Sequence, residues 1–281
     1  MKVGVFTNLH KDTDLSVTKK LLKKLGENGI DYSLDSGLKG SLSGQFFSLD
    51  VNEKFDFMFT VGGDGTILRV AKFCAENDIP IVGINLGYTG FLAEAEPSQI
   101  DVFINAIKSG EYRIDERAFL SAETNGKTYL ALNDAVVTRQ IDAKMLETDV
   151  YVGGAFVDRF FCDGYIISTP TGSTAYSLSA GGAILSPSVQ AFILTSINSH
   201  SLHSRPIVVS ENDVVKLVIG DRSCANLVVD GVVACNLGVG QTVTVKKANE
   251  SVKFIRINEK SFYNKLLTKL NKWSVTEKEN G

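Results

Sequence analysis

The chain has 281 residues, 44% of them hydrophobic and 22% charged, with a net charge of −3. That length fits one large domain or two modest ones, and the slight negative charge gives no general attraction to nucleic acid or an anionic membrane. No apolar run approaches the ~18 residues a bilayer span needs. The opening MKVGVFTNLHKD turns polar too soon for a secretory leader. Four cysteines, in neither CxxC pairs nor framework density, fit a reduced, cytoplasmic setting.

The first hundred residues alternate strand-like and helix-like patterns. KVGVFTN reads as a buried strand, followed by a helix over DLSVTKKLLKKLGENG with Val17, Leu21, Leu22 and Leu25 on one face. IDYSLDS is a weaker strand, and the Gly/Ser-rich residues 36–50 read as a loop. FDFMFTV is apolar on both faces, as central parallel strands are. It runs into GGDG (62–65) and a helix with Ile67, Leu68, Ala71, Cys74 and Ala75 inward and Arg69, Lys72 and Glu76 outward. IPIVGIN is the next strand. The alternation predicts an α/β domain with an open, mostly parallel sheet over 1–113.

From residue 114 the period changes. YLALNDAVVT, TDVYVGGAFVDRF, VVKLVIG, NLVVDGVVACNL, QTVTVKK and SVKFIRI are β-branched runs separated by Gly, Asn and Asp, which predicts a β-rich domain over 114–257. SFYNKLLTKLNKW returns to a helix, with Phe262, Leu266, Leu267, Leu270 and Trp273 on one face; residues 258–281 are expected to pack back on the first domain. His200 and His203 form an HxxH with no further ligand at metal spacing, so they read as loop histidines and no protein metal site is assigned.

Two stretches carry chemistry. GGDG stands at the end of a parallel strand and opens a helix, where backbone N–H groups and the helix dipole favour phosphate. It is neither GxGxxG nor GxxxxGK[ST]. A carboxylate beside phosphate is repelled unless a metal or a reacting hydroxyl intervenes. In a kinase acting on an alcohol, Gly62, Gly63 and Gly65 would form the phosphate-binding turn and Asp64 would accept the hydroxyl proton. The second stretch, DGYIISTPTGSTAYSLSAGGAILSP (163–187), has hydroxyls at Ser168, Thr169, Thr171, Ser173, Thr174, Ser177 and Ser179, close-approach glycines and the ring of Tyr176 among them, with an apolar strand YIIS and a later AIL. Many small donors and acceptors around one aromatic suit a nucleoside.

These stretches together resemble the NAD kinases, which phosphorylate the adenosine ribose 2′-hydroxyl of NAD. GGDG resembles the family's signature turn, and TPTGSTAYSLSAGG (169–182) matches its longer, highly specific motif. INLGYTGFLAE (84–94) and SHSLHSRP (199–206) are also similar, so the resemblance covers about residues 57–275. It implies Asp64 as catalytic base, with Asp64, Gly65, Arg69, Asn133, Asp134, Lys144, Asp163, Thr174, Ala175, Tyr176, Ser177, Leu178 and Ser179 binding NAD. Asp134 stands where the family has a glutamate, one methylene longer. Val232 stands where many relatives have a glutamine contact, and a valine makes no hydrogen bond there.

The resemblance further implies ATP as donor with a divalent metal ion, Mg²⁺ by preference, no nucleic-acid or membrane partner, and a homo-oligomer, dimer or tetramer. Two alternatives stay open on the residues: a non-catalytic NAD or NADP sensor, and a lipid kinase of the related diacylglycerol-kinase superfamily, which shares a GGDG turn.

Overall fold

The computed structural model describes residues 1–87, 90–140, 145–221, 224–257 and 262–275, with side chains of the last helix described to 269. In chain order the elements are β1 (Lys2–Thr7), α1 (Ser16–Glu27), β2 (Asp31–Asp35), β3 (Phe46–Phe47), β4 (Phe57–Gly62), α2 (Asp64–Glu76), β5 (Ile81–Asn85), α3 (Ile100–Ser109), β6 (Arg113–Thr124), β7 (Lys127–Ala131) and β8 (Asp134–Arg139). There follow β9 (Leu146–Val152), β10 (Ala155–Cys162), β11 (Gly164–Ser168), α4 (Tyr176–Ser179), β12 (Ala191–Ile197), β13 (Ile207–Ser210), β14 (Val215–Ile219), β15 (Ala225–Val229), β16 (Val232–Leu237), β17 (Thr242–Arg256) and α5 (Phe262–Val275). They form two compact units, residues Met1–Glu116 with Val252–Gly281, and residues Arg117–Ser251.

The first unit is built on a parallel sheet in the order β5-β4-β1-β2-β3, with the end of β17 added beside β5 through Phe254 and Ile81. Every residue of β4 is buried, as its two-sided apolar sequence requires. Val5, Phe59 and Val61 pack with Leu21 and Leu25 of α1 and with Phe103 and Ile104 of α3. The capping of α1 comes from Asp12, 3% exposed, whose carboxylate accepts from the N–H groups of Val17 (3.2 Å) and Thr18 (2.8 Å) and from the Thr18 hydroxyl (2.6 Å).

Four details of this unit differ from the sequence pattern. Residues 36–50 contain a short 3₁₀ turn and β3, which joins the sheet because Phe47 packs on Phe55 and Phe73. α3 is a helix the pattern above does not include, although Ile100, Phe103, Ile104 and Ile107 have helical spacing. The inner face of α2 is Thr66, Ile67, Val70, Ala71, Phe73 and Cys74, so Leu68 and Ala75 are only half-buried. α5 is rotated from its expected face: Leu267 is 57% exposed, while the Lys265 side chain is 10% exposed. Phe262 of α5 packs on Phe91 at 5.7 Å, so the last helix does return to the first unit. Leu270 and Trp273 have side chains outside the described set.

The second unit is antiparallel. A six-stranded sheet runs β13-β12-β11-β8-β15-β16, and a second runs β10-β9-β14 with the first part of β17, beside the β6–β7 hairpin. Tyr165, Ile167, Leu194 and Leu227 of the first sheet and Val150, Leu217 and Val243 of the second belong to one core. YLALNDAVVT is two strands, broken at Leu132-Asn133, and YIIS lies in β11, which pairs with β12 and β8. QTVTVKK and SVKFIRI are one continuous strand, β17.

Candidate active site

β4 ends at Gly62 and α2 starts at Asp64, which puts the turn at the carboxyl end of a central parallel strand, where open α/β sheets bind ligands. Gly63 caps the helix in extended conformation (φ −133°, ψ −168°). Thr66 closes the turn: the Gly63 N–H donates to its hydroxyl (3.2 Å), and its own N–H donates to the Gly63 carbonyl (2.8 Å). A Cβ on Gly62 would stand 2.8 Å from Thr66 Cβ, and one on Gly63 2.6 Å from Lys11 Nζ. A Cβ on Gly65 would meet nothing within 4 Å. Packing therefore accounts for Gly62, while at Gly63 only the movable end of the Lys11 side chain stands in the way. The third is exposed on the first turn of a helix and leaves space for something other than the chain itself.

The Asp64 carboxylate is fastened by backbone. The Phe91 N–H donates to Oδ2 at 2.7 Å, and the N–H groups of Leu92 and Ala93 donate to Oδ1 at 3.2 and 3.1 Å. Loop 90–93 approaches so closely that a Cβ on Gly90 would lie 2.6 Å from Asp64 Cγ. Leu92 is held from behind by Arg256, which donates to its carbonyl at 2.6 Å. Arg256 also pairs with Asp115 (3.0 Å) and Glu94 (3.5 Å), and Glu94 in turn reaches Lys265 of α5 (3.5 Å). Burial, then the charge of Arg256, pulls the Lys265 ammonium below its ordinary pKa, against Glu94 and Asp64. A cavity of about 190 Å³ beside this network, walled by Glu94, Glu96, Asn264 and Lys265 among others, is smaller than the roughly 300–1,000 Å³ of a nucleotide-sized site. Arg69 lies further along α2, exposed, with its guanidinium 5.0 Å from the Phe6 ring centroid and its charge acting on Asp35.

In the second unit, the start of β8, the segment after β11 and the β15–β16 turn converge. Asp230, at φ 46° beside Gly231, accepts from the N–H groups of Leu132 (2.8 Å), Asn133 (2.7 Å) and Asp134 (3.2 Å). The Thr169 hydroxyl donates to the Leu132 carbonyl (2.6 Å), and its N–H to that of Asn133 (2.9 Å). A Cβ on Gly172 would strike the Asn133 backbone, so the TPTG run must pass this close. Asn133 is half-buried, while Asp134 is 4% exposed. Burial, with the Asp230 charge second, pushes the Asp134 carboxyl up to about 7.

Beyond a 3₁₀ turn at Gly172–Thr174, α4 presents its members unequally. Tyr176 (48% exposed) and Ser179 face solvent, and Thr174, Ala175 and Leu178 are half-buried. Ser177 is fully buried, its hydroxyl 3.3 Å from that of Thr195, so it supports the turn from within. Asp163 accepts from Arg139 Nε (2.7 Å) and Asn198 Nδ2 (3.0 Å); the Asn198 bond and then Arg139 hold it below the usual carboxylate range. Val232 is 70% exposed. Lys144 lies outside the described residues. Among those residues no group of three or more His, Cys, Asp or Glu side chains is placed to hold a metal ion.

Sequence reasoning overlooks the donors of loop 90–93, the position of Lys11 over the turn and the two lysines of α5. The backbone donors carry no residue signature. Glycine at 90 is the one trace of their close approach.

Two family models match the chain: the ATP-NAD kinase N-terminal domain over residues 3–112 and the ATP-NAD kinase C-terminal domain over 132–257. The NAD kinase of Thermoanaerobacter sp. (strain X514) is 39% identical over 278 residues, covering 96% of this chain and 98% of that protein. Among solved structures, an NAD kinase from Archaeoglobus fulgidus in complex with ATP is 31% identical with a TM-score of 0.77, covering 94% of this chain and 96% of that one. Yeast NADH kinase complexed with NADH has a TM-score of 0.88 at 22% identity, over 96% and 87% of the two chains, a likeness of fold.

Proposed function

This chain belongs to the ATP-NAD kinase family, and from its site we propose the reaction it performs: transfer of the γ-phosphate of ATP to the 2′-hydroxyl of the adenosine ribose of NAD, giving NADP and ADP. The observation that carries the reading is Asp64. It is a carboxylate on the first turn of a helix at a strand's carboxyl end, beside a glycine whose missing side chain the packing does not explain.

Asp64 is the base in this scheme. A carboxylate offers about four lone-pair positions. Oδ1 accepts two N–H groups and Oδ2 one, so Oδ2 keeps a position for the hydroxyl. As the 2′-oxygen bonds to the γ-phosphorus, its proton passes to Oδ2 and the bond to the β-phosphate oxygen breaks, releasing ADP. A loose phosphoryl transition state asks little of the base, so most of the acceleration comes from positioning and charge neutralisation. The turn around Gly62, Gly63 and Gly65 offers the phosphates the N-terminus of α2 and its dipole, although the Gly63 N–H itself is taken by Thr66.

The second unit supplies the dinucleotide contacts: Asn133 and Asp134, Asp163 towards the nicotinamide end, and Thr174, Ala175, Tyr176, Leu178 and Ser179. Burial, with the Asp230 charge, raises the Asp134 carboxyl to about 7, and its protonated form would donate as well as accept. Ser177 contributes from beneath. Arg69 is assigned to the nucleotide as a peripheral, exposed cation.

The donor set also decides how a divalent ion fits. The described residues build no cage, and Asp64 already takes three N–H donors. A Mg²⁺-class ion would therefore be held chiefly through the triphosphate and not by a protein cage, with Asp64 as the carboxylate of the turn. When bound, it offsets phosphate charge.

Two further assignments belong to this reading. β10, at the end of its sheet, exposes Phe156 (56%) and Phe161 (46%), which supports a homo-oligomer, testable by light scattering. Four free cysteines support a cytoplasmic setting, and among the described residues no helix is long and apolar enough to cross a membrane. The reaction is tested by incubating the purified chain with NAD, ATP and Mg²⁺ and reading NADP with an NADP-specific dehydrogenase. Sustained NADP formation is expected; NAD binding without any NADP would make the protein a sensor.

A further inference from the structure

The GGDG turn brings one negative charge and no positive one, yet the nucleoside triphosphate it would hold is itself strongly anionic. Lys11 stands at this turn and Lys269 on the ring of Phe91, whose N–H binds Asp64, and neither has a part in the reaction scheme above.

Lys11 lies in the loop after β1. Its ammonium is beside Gly63, at 2.6 Å from where a Cβ would be. The loop is fixed on both sides. Lys11 N–H donates to the Asn8 carbonyl (3.0 Å), the Asn8 amide reaches Thr66 of α2 (3.3 Å), and the neighbouring Asp12 caps α1. Lys269 lies on α5, with its Nζ 4.0 Å from the centroid of the Phe91 ring. Phe91 also gives Asp64 its shortest hydrogen bond, at 2.7 Å. One residue thus offers its amide to the carboxylate and its ring face to the ammonium. Lys269 is partly desolvated there, and Asp64 is the charged group that acts on it. Lys265, one turn earlier, is already committed to Glu94.

We propose that Lys11 and Lys269 are the phosphate-binding cations of this site, Lys11 taking a triphosphate oxygen at the N-terminus of α2 and Lys269 one beside Asp64. The proposal rests on the ATP-dependent reading of the turn. It makes the final helix part of the substrate site and not only a packing element.

The test is calorimetric titration of the full chain with the Mg²⁺ complex of AMP-PNP, and separately with NAD, for wild type, Lys11→Ala, Lys269→Ala and the arginine variants. Charge-assisted contacts of this kind predict about 10- to 100-fold weaker AMP-PNP binding for each alanine variant, NAD affinity held within about twofold, and partial recovery with arginine. Thermal melts verify folding, and Lys269→Met, which keeps the apolar stem on Phe91, replaces Lys269→Ala if that variant melts early. AMP-PNP binding within about twofold of wild type in both folded variants overturns the proposal, as does wild type failing to bind AMP-PNP at all. If wild type makes no NADP while AMP-PNP binding still falls with each lysine, the reaction reading fails and the lysine assignment stands. NADP formation with unaffected lysine variants gives the reverse.

Discussion

Gly90→Ala separates the chemistry of Asp64 from its placement. The new methyl carbon would stand 2.6 Å from Asp64 Cγ and 2.9 Å from Oδ2. Carbon atoms rest about 3.5 Å or more apart, so the loop or the carboxylate must retreat by about 1 Å. A retreat of that size takes the N–H···O distances of 2.7, 3.1 and 3.2 Å out of hydrogen-bonding range. Displacing a reacting group by about 1 Å costs about 10²-fold in rate. Losing hydrogen bonds to a charged group costs about 1.5–3 kcal/mol apiece, less whatever water restores. The variant should therefore melt several degrees lower and form NADP about 10²-fold more slowly, with every catalytic side chain unchanged. The coupled dehydrogenase assay and a thermal melt read both effects. A turnover within about threefold of wild type would show that the loop 90–93 clamp does not place the base, and the reasoning would fail.

Asp64→Asn should lower turnover by about two to four decades, and it should also destabilise the first unit by about 1.5–3 kcal/mol, because an amide cannot accept from Phe91 and from Leu92–Ala93 together. Glu94→Leu leaves Arg256 and Lys265 buried beside an apolar group, and a loss of about 3 kcal/mol is expected in denaturant titration. Asp134 titrates at about 7 in the folded chain against 3.8 as its ordinary value, so the folded state holds its proton longer than the unfolded one. Its stability contribution is complete at low pH, declines as pH rises through about 7, and is flat above. Asp134→Asn should match wild type only below about pH 3.8, already lead it at pH 5, and exceed it by up to a few kcal/mol at pH 8, as read by melts across that range. Thiol reagents should label exposed Cys224 in the native protein and spare Cys162 and Cys74 until unfolding, since burial pushes the Cys162 thiol up to about 12 and that of Cys74 higher still.

The parallel strands were legible because β1, β4 and β5 are apolar on both faces, and the helix after GGDG because its glycines mark a start. β3 was hidden by its Gly/Ser-rich surroundings: two phenylalanines make a strand only when β2 and the Phe55–Phe73 cluster are there to receive them. α5 presents lysine where leucine was expected, since its amphipathic pattern cannot reveal that Glu94 and the Phe91 ring await two ammonium groups. Asp64 and the TPTG run stood out by residue type and spacing. What holds Asp64 did not, because three main-chain amides fasten it, and the chemistry of an amide is the same at every position. The raised Asp134 titration likewise depends on its burial beside Asp230, far away in sequence.

In the proposed reaction Asp64 serves the transfer of a phosphoryl group from ATP to a ribose hydroxyl. A single turnover with ATP labelled at the γ-phosphate, excess enzyme and NAD tests it most directly, with the product examined by phosphorus NMR. Label is expected on the adenosine 2′-oxygen, with a first-order rate at least about 10²-fold slower in Asp64→Asn when NAD and ATP are both bound. Label elsewhere, or an Asp64→Asn rate equal to wild type, would contradict it.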